Sequence, residues 1–158
     1  MKETFALVGG VLAVINPAQY NAGIACIEAL LEQPEKVAKR EFLAELLNIW
    51  TMPYNAMSLM SNQNSPLHWD NGGAYTSMDL LLSVRDYANG RFFAPGLSFE
   101  FWYRPGTVIV LVGRVLRHGA TAEGERFCVA LYMRESVLKD LGIPEPEWMR
   151  IRANSIIV

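Results

Sequence analysis

Residues 97–133 read LSFEFWYRPGTVIVLVGRVLRHGATAEGERFCVALYM, and this stretch decides the fold. Its apolar residues come in short runs rich in Val, Phe, Leu and Tyr, each bounded by Gly, Pro or charged residues. That is the pattern of strands joined by tight turns. Strands are expected here at 97–103, 108–112, 115–118 and 126–133. Working back toward the N-terminus, the same language continues to Met52 and adds strands at 56–61, 66–70, 77–84 and 91–93.

Eight short strands within about 80 residues suit a double-stranded β-helix, or jelly-roll, better than an open sheet. Upstream, Asn16-Pro17 is a capping residue followed by a first-turn proline, and PAQYNAGIACIEALLE has helical spacing, so residues 17–32 are expected to form a helix. EKVAKREFLAELLNIW (35–50) is expected to form a second, with Val37, Phe42, Leu43, Leu46, Leu47 and Trp50 largely on one face. The apolar run 5–15 suits a buried strand or helix segment; Glu3, Gly9-Gly10 and Asn16-Pro17 interrupt a signal-peptide pattern. The expected class is α+β, mainly β, in one domain over 1–158. Residues 1–51 supply an N-terminal strand and supporting helices, 52–135 the double-stranded β-helix core, and 136–158 a C-terminal tail with a last helical turn at 136–141.

Composition narrows the function. Hydrophobic residues are 51% and charged residues 19%, with a formal charge of −2, a globular balance without the basic excess of a phosphate-backbone binder. No run reaches the roughly 18 apolar residues of a membrane span, so no membrane association is expected. The two cysteines, Cys26 and Cys128, are too few for a disulfide framework and point to a reduced, intracellular setting, cytoplasmic or nuclear. No H-E-x-x-H, G-x-S-x-G or C-x-x-C motif is present, and Gly9-Gly10 lacks dinucleotide-site spacing.

The only two histidines are His68 and His118. In His68-Trp69-Asp70 the H-x-D spacing places an imidazole and a carboxylate on the same face of an extended strand, with Trp69 pointing outward. The run GTVIVLVGRVLRHG brings His118 to a strand end. If the two strands pack side by side, His68, Asp70 and His118 make a two-His-one-carboxylate facial triad with open positions. H-x-D also suits a surface or turn histidine, so the triplet alone does not decide. Eight residues after His118, Arg126 opens an apolar alternating run, where its guanidinium suits a bidentate contact to a carboxylate.

Further residues carry a wider likeness: Asn62, the His68-Trp69-Asp70 triplet, Leu80–Ser83, Tyr103-Arg104-Pro105-Gly106-Thr107-Val108, Gly113, His118-Gly119, Gly124-Glu125-Arg126-Phe127-Cys128 and Tyr132-Met133-Arg134. Over roughly 56–137 the chain resembles the catalytic core of 2-oxoglutarate/Fe(II) oxygenases. It is most similar to the ten-eleven-translocation and base-J-binding-protein-like branch, particularly its short fungal members. The resemblance implies a dioxygenase that oxidises a C–H bond while 2-oxoglutarate is decarboxylated to succinate. It implies Fe(II) on His68, Asp70 and His118, and 2-oxoglutarate and O2 as co-substrates. Arg126 would anchor 2-oxoglutarate, with Cys128 and Asn62 beside it. Cys128 stands where Ser or Thr is frequent. Gly73 stands where mammalian 5-methylcytosine oxidases carry Asn. The implied substrate is a methylated nucleobase, an amino acid, a peptide or a small metabolite, so the partner is nucleic acid or a small molecule.

Other features have two readings each. Asn71-Gly72-Gly73-Ala74-Tyr75 suits a substrate lid or a plain turn. Phe92, Phe93, Phe99, Phe101, Trp102 and Tyr103 suit the stacking of a flipped base or the core, and are expected mainly in the core. Arg85, Arg91, Arg104, Arg114 and Arg117 suit one phosphate-contacting rim or a solvated face, and the solvated face is expected. The alternatives to an oxygenase are a non-catalytic jelly-roll binding domain and a cupin-like site for another metal.

Overall fold

The apolar run at the N-terminus forms a helix, α1 (Lys2–Ile15), because Phe5, Val8 and Leu12 recur at helical spacing and are buried together. No strand occurs among the described residues of 1–51, which corrects that expectation. The structure is a computed structural model that describes residues 2–148. Helix α2 (Pro17–Glu32) starts as its sequence predicts: the Asn16 side chain accepts the Gln19 N–H at 3.2 Å and Pro17 opens the first turn.

The helix expected at 35–50 is broken. Single 3-10 turns cover Pro34–Lys36 and Arg40–Phe42, with extended backbone at Val37 between them, and only α3 (Leu43–Ile49) is α-helical. Its expected inner face is only partly inner: Leu43 is buried and Val37, Leu47 and Trp50 are half-buried, Trp50 against Phe5, whereas Phe42 and Leu46 are exposed. Lys36 instead donates to the Asp140 carbonyl at 2.6 Å, which the turn permits and a straight helix would not require.

Eight strands follow: β1 (Ala56–Ser61), β2 (Ser65–His68), β3 (Asp79–Val84), β4 (Tyr87–Ala94), β5 (Phe99–Trp102), β6 (Val108–Leu111), β7 (His118–Gly124) and β8 (Phe127–Tyr132), then α4 (Glu135–Leu141). They form two antiparallel four-stranded sheets, β1-β8-β3-β6 and β2-β7-β4-β5. Mainly antiparallel β with flanking helices, this is the jelly-roll, cupin-like core expected. Two positions shift. β2 stops at His68, leaving Asp70 beyond its end, and 115–118 is a turn whose last residue opens β7.

Layering follows from strand alternation. On the first sheet, Leu80, Val129 and Leu131 face outward onto Phe5, Val8, Leu12, Cys26 and Leu138 of the helices. Leu81, Ile109, Leu111 and Cys128 face inward, onto Phe92, Ala120 and Tyr103 of the other side. Sheet one is therefore covered on both faces, while in the second the edge strand β5 leaves Phe99 and Phe101 exposed on the face of their partners Ala94 and Phe92, and Trp102 exposed on the opposite face beside Arg91. The expected core aromatics thus divide, with Phe92 and Tyr103 buried and those three not. No helix among the described residues is long and apolar enough to cross a membrane. The expected tail beyond Trp148 lies outside the described residues.

Candidate metal centre

β2 and β7 pair antiparallel with His68 directly opposite His118, so two imidazoles fifty positions apart in sequence stand 4.5 Å apart, centroid to centroid. Each ring is oriented by its own backbone. Nδ1 of His68 meets the Pro66 carbonyl at 2.7 Å, and Nδ1 of His118 meets that of Leu116 at 2.9 Å. With Nδ1–H donated, both Nε2 atoms keep a lone pair for a metal. Burial lowers the pKa of His118 below the ordinary imidazole value, against the opposing Leu116 carbonyl and Asp70 charge, so the ring stays neutral. Phe92, 2% exposed, stacks on that ring at 5.7 Å and 19°, closing its apolar side.

Asp70 is not on the His68 strand, as H-x-D spacing suggested, but in the turn beyond it. Its carboxylate returns because the Asp70 N–H donates to the Gly113 carbonyl at 3.0 Å, while the Gly113 N–H donates to Asp79 Oδ2 at 3.0 Å. A Cβ on Gly113 would collide with both carboxyl groups, so any larger residue would have to displace them. Asp70 Oδ1 then lies 3.4 Å from His68 Nε2, and Oδ2 3.6 Å from His118 Nε2.

These residues fit a divalent ion. One ligand atom from each of His68, Asp70 and His118 lies within 4.8 Å of the others. Ligands about 2.1 Å from a shared ion sit roughly 3.0–3.4 Å apart, close to the spacings found. Two imidazoles and one carboxylate on one side of an ion are the donor set of non-haem Fe(II) oxygenases.

The three groups open on a cavity of about 280 Å³ between the sheets, which Arg126 also lines. Arg126 is 4% exposed; its Nε donates to Ser83 Oγ at 3.2 Å, one terminal nitrogen donates to the Gln63 carbonyl at 3.0 Å, and the guanidinium lies 5.0 Å from the Tyr103 ring centre. No carboxylate among the described residues forms an ion pair with it. A buried cation without a counter-charge is costly, so the cavity is preorganised for an anionic ligand.

Cys128 lines the same cavity, its thiol 3.8 Å from the Tyr103 hydroxyl and held protonated by burial. Asn62 does not line it. It turns the chain at φ 54°, and its N–H donates to the Arg126 carbonyl at 2.7 Å, so it seats the arginine's backbone. Trp69 lies half exposed beside the mouth with the Arg117 guanidinium 5.2 Å over its ring. The 71–75 loop is pinned at several points: Arg114 donates to the Asn71 and Gly73 carbonyls, and Ala74 N–H to Met133 O at 3.2 Å. The five arginines expected to be solvated are exposed or half-exposed; Arg85 pairs with Glu125 while Arg91 covers Trp102.

The sequence alone gives Asp79 no role; Phe92 was expected only as a core residue, which it is, and Tyr132 and Arg134 only as carriers of the family likeness. Gly113 beside an apolar run was the one visible signal for the Asp70 seat. Asp79 borders the cavity, and burial first, then the charge of Asp70, raises its pKa to about 7 against the Gly113 N–H. Tyr132 lies 3.2 Å from Ser58 Oγ on the cavity wall.

The Tet_JBP family model, the oxygenase domain of the 2OGFeDO superfamily, matches residues 1–135. Among curated proteins, none matches the sequence.

Proposed function

The chain belongs to the Tet_JBP family of oxygenase domains, and from that premise we propose that it is an Fe(II)- and 2-oxoglutarate-dependent dioxygenase acting on a C–H bond, with a methylated nucleobase as the first substrate to test. The observation that carries the reading is Arg126: a buried guanidinium without an acidic partner among the described residues, facing the cavity that His68, Asp70 and His118 also face. A metal-binding jelly-roll that takes no anionic ligand has no use for that charge.

His68, Asp70 and His118 would hold the iron, and Arg126 would hold the distal carboxylate of 2-oxoglutarate. When bound, these groups supply the coupled conversion of substrate C–H, O2 and 2-oxoglutarate to C–OH, succinate and CO2. The chain's own work is binding and orientation. Ser83 and Gln63 fix the Arg126 fork from behind, so a carboxylate meets donors already aimed. Pro66 and Leu116 carbonyls hold the imidazole tautomers. Leu81, Phe92 and Ala130 line the cavity with apolar surface and exclude water. The nucleobase reading is supported by Trp69 and Tyr75, exposed in the segment that borders the mouth, with Arg117 and Arg114 respectively over their rings. Flat rings capped by guanidinium are suited to stacking a planar base.

The test is succinate formation on adding Fe(II), ascorbate and 2-oxoglutarate, with and without an oligonucleotide containing 5-methylcytosine. The wild type should form succinate and the Asp70→Ala variant should not, and the oligonucleotide should raise turnover and gain oxygen. Equal succinate in both proteins rejects the oxygenase. Turnover indifferent to the oligonucleotide rejects the nucleobase and leaves an amino acid, peptide or small metabolite.

A further inference from the structure

β8 is flanked by two arginines, Arg126, the proposed 2-oxoglutarate anchor, and Arg134. Because strand side chains alternate, Arg126, Cys128, Ala130, Tyr132 and Arg134 all line the metal cavity, and this ladder has an arginine at each end. Arg126 is the buried end. Arg134 is the exposed end, and it also lines a second groove of about 420 Å³ that shares Asn71, Gly72 and Arg134 with the metal cavity.

The groove is built around positive charge. Arg134 is fixed by its backbone: its N–H donates to Asn55 Oδ1 at 2.6 Å, its carbonyl accepts from Asn55 Nδ2 at 3.3 Å, and it forms a β-bridge with Gly73. Its guanidinium has no carboxylate partner among the described residues, and neither has that of Arg114, which lines the same groove. Glu135 at the groove pairs with Lys139 at 3.7 Å, so the two guanidinia remain in excess. Arg114 also holds the floor, through the Asn71 and Gly73 carbonyls. In a chain of net charge −2, two unpaired arginines over one groove are a local concentration of cation.

We propose that this groove is a substrate-anion subsite, in which Arg134, assisted by Arg114, takes an oxyanion carried by the substrate, a phosphate or a carboxylate, and thereby sets which carbon lies over the metal. It rests on the oxygenase reading above and narrows the substrate to an anionic one. 2-Oxoglutarate does not compete for it, since Arg126 at the other end of β8 matches that ligand. Arg134 is a positioning residue.

The test is an NMR titration of the 15N-labelled protein loaded with Zn(II) in place of iron and saturated with 2-oxoglutarate. Inorganic phosphate and acetate are the probes. At least one should shift the Gly72 amide and Arg134 Nε–H signals saturably. Arg134→Gln, an exposed change that keeps the backbone bonds to Asn55, should weaken that binding tenfold or more while the 2-oxoglutarate response of Arg126 is unchanged. Phosphate binding tighter than acetate assigns a phosphoryl substrate, and the reverse a carboxylate. Signals that neither anion moves, or a titration that Arg134→Gln leaves intact, would overturn the subsite. Absence of the 2-oxoglutarate response at Arg126 would count against the oxygenase reading instead, and the Gly72 and Arg134 signals would still decide the groove.

Discussion

Gly113 shows how one residue governs the centre. Its carbonyl holds Asp70, its N–H is held by Asp79, and its missing Cβ leaves room for both carboxylates. Gly113→Ala is expected to cost about 1–3 kcal/mol of stability through overpacking, and to weaken metal binding about 10–100-fold by displacing Asp70. Thermal denaturation and anaerobic Fe(II) titration measure the two effects. Arg126→Gln should leave Fe(II) binding intact and raise the 2-oxoglutarate requirement at least tenfold; unchanged dependence would mean that the co-substrate's carboxylate sits elsewhere. At this scale much of the site was legible, because a chain with two histidines offers few ways to build an imidazole-rich metal site. The places of Phe92, Asp79 and Arg134 beside the centre were not legible. Their proximity to the centre comes from cross-strand packing and turn geometry that no local spacing encodes.

Elements were legible where pattern and tertiary demand agree. Asn16-Pro17 announced α2, and its cap is reinforced by Gln19, whose side chain also bonds both the N–H and the carbonyl of Met78. Asn16→Ala is expected to cost about 1 kcal/mol, seen as a shift in the denaturant midpoint. α2 also presses Gly23 against the Pro53 carbonyl, so Gly23→Ala should destabilise more than the cap change does. Residues 35–50 misled because an apolar stripe at helical spacing does not fix one continuous helix: 3-10 turns break it, and Phe42 and Leu46 of the stripe face out while Leu43 and Trp50 pack inward. β7 was missed because HGATAEG has no apolar alternation. It needs small residues: a Cβ on Gly119 would press to 2.8 Å on the Ser65 carbonyl of the neighbouring strand. His118 was therefore expected to close a strand that it in fact opens.

For the molecule as a whole, a buried carboxyl and an unpaired buried guanidinium share one cavity between two sheets, so stability and ligand state are linked. Asp79 stays protonated in the fold up to about 7, whereas an unfolded aspartate ionises near its ordinary value of roughly 4. Its folded pKa is raised, so its contribution is fully present below roughly pH 4 and is lost as pH rises to about 7. Metal-free protein should therefore lose stability across that window, and Asp79→Asn should flatten the change; an identical slope in both would place the titration elsewhere. The most direct measurement on the centre itself is anaerobic Fe(II) titration with and without 2-oxoglutarate, followed by the visible charge-transfer absorption of the chelate. One Fe(II) per chain should bind, the absorption should appear only with 2-oxoglutarate, and it should vanish in Asp70→Ala. Iron that does not bind, or a chelate band undiminished when Asp70 is removed, would contradict the convergence of His68, Asp70 and His118 on one ion.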